Sequence, residues 1–114
     1  MPRRSGFKSG SPRWRRIAQT CCNGRKSWSP EDIWIEDGFV GAAYGVPSEG
    51  GIEAIYRVAQ AEGVLLDPVY TGKAMHGLIS LVQEGKIQPN SRVIFVHCGG
   101  SPALYPFAQK LLER

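Results

Sequence analysis

Two tyrosines in loop segments are the first residues of this sequence that could do chemistry. Tyr44 and Tyr70 each lie in a stretch flanked by glycine or proline rather than on the face of a helix. Loops at the ends of regular elements commonly carry functional side chains on a rigid scaffold. Both tyrosines are therefore candidate functional residues.

The turn at residues 97–100, His-Cys-Gly-Gly, is the second candidate, because it follows a strand-like run and precedes a helix-like one. Glycines there would leave helix N–H groups open at the carboxyl end of a strand, where α/β proteins bind ligands. Such a turn also needs glycine for structural reasons alone, so both interpretations stay open. Cys98 is either a thiol activated by the helix N-terminus or a small buried side chain.

Lys73 and His76 stand near the start of a predicted helix. The positive helix end favours a neutral amine, which could form a Schiff base. A solvated lysine is the ordinary alternative for Lys73, and a structural histidine is the ordinary alternative for His76. Gly72-Lys73 is not a phosphate-binding P-loop, because Asp67 and Ala74 replace residues which that motif requires.

Three helices are predicted to position these residues. Ser48 can cap the first helix, which runs to about Glu62 with Gly63 behind it. The second helix starts near Thr71 and stops at Gly85. Its apolar residues recur at helical spacing and predict one buried stripe, formed by Met75, Leu78, Ile79 and Val82.

The third helix is predicted to follow Ser101 as its cap, with Pro102 at its first position. Its expected inward residues are Leu104, Phe107, Ala108, Leu111 and Leu112.

Strands are predicted at 32–36, briefly at 64–66 and most clearly at 92–97, which gives the alternating order of an α/β fold. The run 93–96 is apolar throughout and is typical of a strand inside a parallel sheet. Such a strand needs neighbours that this chain hardly supplies. The pattern therefore indicates a piece of a larger α/β unit.

Length and charge bound the function. The chain has 114 residues, 42% of them hydrophobic, and its short apolar runs predict no membrane-spanning helix. Residues 1–26 hold eight basic residues and no acid, whereas the remainder carries six basic and ten acidic residues. Residues 1–28 are therefore predicted to be a basic, disordered leader, with targeting or polyanion binding as alternative roles, and 29–114 to be the folded body.

The three cysteines, of which Cys21 and Cys22 are adjacent, do not form a disulfide framework. No metal site is predicted, because the sequence has no Cys-x-x-Cys and its two histidines stand far apart. This cysteine usage favours a reducing, cytoplasmic setting.

Three motifs carry a resemblance to a known family: YGVPSEG at 44–50, AEGVLLDPVYTGKAMHG at 61–77 and HCGGSPAL at 97–104. Together they resemble the C-terminal part of the D-cysteine desulfhydrase and 1-aminocyclopropane-1-carboxylate deaminase family, from about Pro30 to Phe107. That family belongs to the tryptophan synthase β-like group of pyridoxal-phosphate (PLP) enzymes. The resemblance implies that residues 29–114 are a C-terminal segment of a fold type II, three-layer α/β domain.

The resemblance also implies roles for individual residues. Tyr44 and Tyr70 match two catalytic tyrosines near the substrate, and Thr71 matches the residue that faces the pyridine nitrogen. The turn that lies beside the cofactor ring matches His97, Cys98 and Gly99. The subfamily signals are mixed, and three of these positions carry them. Thr71 favours the desulfhydrases, since the deaminases carry glutamate there; His76 is found in the deaminases; and Cys98 replaces a desulfhydrase threonine.

The implied function is a PLP-dependent lyase that releases ammonia and a keto acid from a small amino acid: pyruvate and sulfide from D-cysteine, or a deaminase product from aminocyclopropane-carboxylate. Members are expected to be cytoplasmic homo-oligomers, with no membrane or nucleic-acid partner. Nothing here matches the family's Schiff-base lysine or phosphate loop, and Lys73 stands in the wrong motif, so the chain alone is expected to be inactive. The alternatives are a non-catalytic truncated or partner-binding α/β protein and a nucleic-acid binder acting through the basic leader.

Overall fold

The structure is a computed structural model that describes residues 34–113. All helices described here belong to one compact unit, Glu36–Arg114. They are α1 (Glu49–Glu62), α2 (Thr71–Gln83) and α3 (Leu104–Leu112), and a 3₁₀ turn at Ser101–Ala103 leads into α3. The predicted leader at 1–28 lies outside the described residues, so its boundary stays a prediction.

Local cap residues determine where α1 begins and ends, as predicted. Ser48 has an extended backbone, and its Oγ accepts a hydrogen bond from the N–H of Gly51 at 3.2 Å. At the other end Gly63 takes a left-handed conformation, with φ of 66°, and its N–H donates to the carbonyl of Ala59.

The second helix also begins and ends where the sequence predicts, but its buried face differs. The fully buried positions are Thr71, Gly72, Lys73 and Gly77. The predicted stripe is wrong as a buried face, since Val82 is half exposed and the other three residues are only partly covered. The reason is that α2 packs closely on α1 through small residues, and hydrophobic periodicity gives such residues no weight.

The crossing of α1 and α2 depends on glycine at the point of contact. A methyl group at Gly72 would lie 2.8 Å from the backbone oxygen of Asp67, 2.9 Å from Ile55 and 3.1 Å from the oxygen of Gly51. Among the described residues, the buried apolar side chains beside this crossing are Ala54, Ile55 and Leu66. The core is therefore small and lies between these two helices and the segment that joins them.

The predicted strands are absent between residues 34 and 113, where no strand is formed. The run 92–97 forms no regular structure and is open to solvent, with Ile94 90% and Val96 72% exposed. The short run 64–66 is likewise unpaired, and the first two residues of the predicted 32–36 strand lie outside the described part. A strand requires a neighbour to take its backbone N–H and C=O groups, and the described residues provide none.

The third helix differs from its prediction at its start and in its packing. Gly100, with φ of 93°, takes the cap position of the 3₁₀ turn and Ala103 takes that of α3, so Ser101 is the cap residue of neither. No residue of α3 is buried, and the predicted inward residues Ala108 and Leu112 are exposed. No helix found between residues 34 and 113 has the length and apolar character needed to cross a membrane.

Candidate functional site

The two predicted catalytic tyrosines meet in the structure. The hydroxyl oxygens of Tyr44 and Tyr70 lie 2.5 Å apart, and their ring centres are 6.0 Å apart with the planes inclined at 59°. Tyr44 projects from the turn before α1, and Tyr70 immediately precedes α2. Either hydroxyl can donate to the other, so one hydrogen bond joins the two solvent-accessible phenols.

This contact changes the acidity of one partner. The pKa of Tyr70 is raised above its usual 10.0, first by the hydrogen bond with Tyr44, then by partial desolvation and by negative charge on Tyr44 and Asp67. Tyr70 therefore keeps its proton at neutral pH and can serve as a hydrogen-bond or proton donor.

The tyrosines border an open cleft with a volume of about 570 Å³. This size is within the range that small-molecule sites occupy, about 300–1,000 Å³. Its lining is mostly apolar and comes from the loop before α1 and from the start of α2: Glu36, Phe39, Val40, Gly41, Ala42, Ala43, Tyr44, Val69, Tyr70, Lys73 and Ala74. The cleft can therefore hold a small organic molecule with its polar groups near the phenols.

Lys73 lies at the inner wall of this cleft and is not the solvated side chain expected from the sequence. Only 7% of its surface is exposed. Its ammonium donates to the carbonyl oxygens of Val40 at 2.7 Å and Ala43 at 3.3 Å. The expectation was wrong because the carbonyls that cover Lys73 come from a loop about 30 residues earlier in the chain.

Sequence reasoning missed Asp67, the best-bonded side chain of the region. It is fully buried, and its carboxylate accepts four hydrogen bonds. Oδ1 accepts from the N–H groups of Val69 and Tyr70, and Oδ2 accepts from both the N–H and the hydroxyl of Thr71. The signal that could have found it is an aspartate-proline pair four residues before a threonine at a helix start.

These donors outweigh the cost of burying a charge. Burial alone raises the pKa of Asp67, but the hydrogen bonds from Thr71, Tyr70 and Val69 together lower the pKa below its ordinary 3.8. A carboxylate anion therefore sits beneath the first turn of α2, where the helix dipole also favours negative charge.

None of the predicted cofactor residues lines the tyrosine cleft: Thr71 is bonded to Asp67, and the 97–100 turn approaches the same carboxylate through Gly100. Thr71 is 2% exposed, donates its hydroxyl proton to Oδ2 of Asp67 at 2.6 Å and accepts from the N–H of Asp67 at 2.8 Å. Gly100 lies so close to the same carboxylate that a side chain there would collide with it. The ring of His97 is hydrogen-bonded with the carbonyl of Leu65 through Nε2 at 3.1 Å.

The remaining candidates lie outside the cleft. Cys98 is exposed with a free thiol, so its interpretation as a buried apolar residue is wrong, and Gly99 is exposed beside it with φ of 105°. His76 packs edge-on against Phe39, with ring centres 5.3 Å apart. Among the lining residues of the tyrosine cleft, none of these three positions occurs.

Comparison with known proteins identifies the family. The model of the family described as pyridoxal-phosphate dependent enzymes matches residues 4–99, a range that begins within the basic segment. The chain belongs to this family of pyridoxal-phosphate dependent enzymes. The family resemblance predicted from the sequence motifs is confirmed, and the cofactor of the family is pyridoxal phosphate.

Several relatives within this PLP-dependent family are named for the same activity. The chain is 46% identical over 78 residues to a 1-aminocyclopropane-1-carboxylate deaminase of Burkholderia vietnamiensis (strain G4 / LMG 22486) and 49% identical over 78 residues to one of Cyberlindnera saturnus. A third, of Burkholderia multivorans (strain ATCC 17616 / 249), is 47% identical over 77 residues. Each match covers 68% of this chain and 23% of the relative, so the matched part spans about a quarter of those proteins.

The described residues have chemistry that suits one side of a pyridoxal group. Two phenols border an open cleft, and a buried hydroxyl–carboxylate pair lies beside a glycine turn. Thr71 already gives its proton to Asp67 and receives one hydrogen bond, so its oxygen keeps one lone pair that can accept. The family has an α/β fold, whereas residues 34–113 of this chain form the helices α1, α2 and α3 and segments without regular structure, but no strand.

Proposed function

We propose that this chain provides the substrate-facing part of a PLP-dependent lyase that deaminates a small amino acid. The observation that carries the proposal is the contact between Tyr44 and Tyr70 at the edge of the cleft. The activity for which the relatives are named, aminocyclopropane-carboxylate deaminase, supports the reaction class. Elimination from a small amino acid needs side chains that transfer protons, and the pair of phenols is such a proton-transferring group.

The tyrosine pair has the role of holding and delivering a proton next to the substrate. Because the hydroxyls share one hydrogen bond, loss of a proton from one can be followed by donation from the other. The raised pKa of Tyr70 assigns it the protonated state at neutral pH. Pyridoxal phosphate, when bound, supplies an electron sink for the charge that develops at the substrate's α-carbon.

Thr71 and the turn formed by His97, Cys98 and Gly99 are proposed to hold the cofactor ring. In favour of this proposal, Asp67 fixes Thr71 and lies against Gly100, the residue that follows Gly99 in the turn. The acceptor that Thr71 retains, backed by a carboxylate, suits a protonated ring nitrogen better than the neutral ring that a free hydroxyl favours.

The substrate is either D-cysteine or aminocyclopropane-carboxylate. By the family resemblance Thr71 favours D-cysteine, whereas the names of the relatives favour the cyclic amino acid. Both readings predict ammonia as a product, so ammonia release is the measurement that tests the reaction class. A cytoplasmic, homo-oligomeric enzyme is part of the same proposal.

A chimera tests the proposal directly. Residues 30–107 replace the homologous segment of the Burkholderia vietnamiensis relative, with which this chain is 46% identical. We expect the chimera to bind PLP and to release ammonia from one of the two amino acids. Tyr70→Phe in the chimera is expected to lower turnover by about 100-fold or more while the cofactor absorbance persists.

Tyr105→Phe is the matched control, because Tyr105 is an exposed phenol on α3 outside the cleft and should leave turnover unchanged. Unchanged turnover in Tyr70→Phe would contradict the role of the tyrosine. Failure of the chimera on both amino acids would instead favour a non-catalytic protein.

The 114-residue chain by itself, incubated with PLP and either of the two amino acids, is proposed to release no ammonia. By the family resemblance, catalysis needs a lysine that binds the cofactor. Lys73 is the buried lysine among the described residues, and its ammonium is already hydrogen-bonded to two carbonyls.

A further inference from the structure

Lys73 is a buried cation that the proposed reaction does not use. It is the third residue of α2, close to the positive end of the helix dipole, where a cation is disfavoured. Burial adds a second cost, because desolvation penalises the charged form of an amine. An apolar side chain of similar length would avoid both costs, so packing alone does not account for a lysine here.

The compensation comes from the loop that carries Tyr44. The ammonium donates to the carbonyl oxygens of Val40 and Ala43. The Ala43 carbonyl also accepts from the N–H of Val46 at 3.3 Å, which closes the turn that contains Tyr44. Lys73 therefore contacts the loop at both ends of the segment leading to the tyrosine.

Glycines make room for this arrangement. A methyl group at Gly41, whose φ is 76°, would lie 3.3 Å from Nζ of Lys73, and one at Gly51 would lie 3.3 Å from its Cγ. The side chain thus passes between the loop and α1 with contact on both sides. Its own helix begins directly after Tyr70, so Lys73 connects the two segments that bear the phenols.

We propose that Lys73 is a positioning residue, whose hydrogen bonds to the Val40 and Ala43 carbonyls hold the Tyr44 loop so that the Tyr44 and Tyr70 hydroxyls meet. This inference rests on the proposed function for the catalytic meaning of the tyrosine pair. The contact between the tyrosines is measured without cofactor or substrate, so the two proposals can fail separately.

The experiment follows the titration of Tyr70 by NMR in the full chain labelled with ¹³Cζ-tyrosine. Tyr44→Phe identifies the Tyr70 signal that responds to the partner and gives the value without a phenol–phenol hydrogen bond. Lys73→Met removes the hydrogen bonds that hold the Tyr44 loop. The pKa of Tyr70 is then expected to fall toward the value measured in Tyr44→Phe. Lys86→Met removes an exposed lysine beyond α2 and is expected to leave Tyr70 unchanged.

The sign of the shift separates positioning from simple loss of charge. Removing a nearby cation destabilises a phenolate and raises a tyrosine pKa, whereas losing the Tyr44 contact lowers the pKa of Tyr70. A Tyr70 titration in Lys73→Met that is unchanged or shifted upward would overturn the proposal.

A second variant covers the case in which Lys73→Met does not fold, as judged by circular dichroism. Gly41→Ala keeps the lysine but crowds its Nζ from the loop side and strains a left-handed backbone. We expect the pKa of Tyr70 to fall in this variant too, and no change there would equally overturn the inference. A chimera without ammonia release, together with the expected Tyr70 shifts, would reject the proposed function and leave the positioning role in place.

Discussion

At the scale of single residues, Asp67 is the side chain on which the local structure depends most. Its carboxylate receives three backbone N–H groups and one hydroxyl at the start of α2, while the hydroxyl of Thr71 in turn accepts from its N–H. This reciprocal pair resembles a capping box extended by one residue. Because the anion is buried, an amide in its place would leave donors facing one another.

Asp67→Asn is therefore expected to lower the free energy of unfolding by about 2–3 kcal/mol at pH 7, the range for hydrogen bonds to a charged group. The pKa of Asp67 is lowered in the folded chain, so its stabilisation is fully present above the ordinary value of 3.8 and is lost as pH falls through the folded pKa. Urea unfolding followed by circular dichroism at several pH values measures both effects. A difference between the two proteins that stays constant from pH 7 to strongly acidic solution would contradict this account.

The tyrosines and Lys73 show which site residues a sequence can indicate. Family motifs predict Tyr44 and Tyr70 as active-site residues, and the structure brings their hydroxyls together across 26 residues; their catalytic role stays a prediction. The burial of Lys73 was missed because it depends on carbonyls from residues 40 and 43, which nothing near position 73 specifies. Residue types thus indicate candidate site residues, whereas the environment of each side chain depends on residues that are distant in the sequence.

At the scale of elements, the crossing of α1 and α2 is limited by the space at Gly72. A methyl group there would approach backbone oxygens of residues 67 and 51, and backbone cannot rotate away as a flexible side chain can. Gly72→Ala gains about 1 kcal/mol of helix propensity. The overpacking costs about 1–3 kcal/mol. We expect a net loss of stability, measured as a lower urea midpoint.

Gly38→Ala is the control for this substitution, because nothing lies within 4 Å of a methyl group at Gly38 and its backbone is not left-handed. It should leave the midpoint unchanged or slightly raised. An equal response of the two variants would show that the helices do not cross as closely as described.

The helices were predictable and the strands were not, for a physical reason. The ends of α1 depend on Ser48 and Gly63, which act on backbone groups three or four residues away. A strand at 92–97 depends instead on a neighbouring chain segment. The sequence pattern shows that the run could pair with such a segment, but not which segment would supply the pairing. The predicted strand at 92–97 is therefore wrong for the described residues, because the apolar run finds no strand to pair with there.

At the scale of the whole molecule, the small core and the solvent exposure of segment 92–97 have the same explanation. The buried apolar side chains of the described region are Ala54, Ile55 and Leu66, while Val93, Ile94 and Val96 are exposed. The family has an α/β fold, in which an apolar run of this kind lies inside a sheet. Backbone amides become protected from hydrogen exchange when a neighbouring strand accepts them.

We therefore expect amides 92–97 to exchange rapidly in the 114-residue chain, where α1 and α2 are protected, and to become strongly protected in the chimera with the Burkholderia vietnamiensis relative. Hydrogen exchange followed by mass spectrometry of the same peptides in both proteins makes the comparison, and α1 provides the internal control because its hydrogen bonds are local in both. Protection of 92–97 in the isolated chain would mean that the segment is already paired there. Rapid exchange in a chimera that releases ammonia would mean instead that a working site does not need this segment to be a strand, and that the local contacts of the 97–100 turn with Leu65 and Asp67 are enough to hold it.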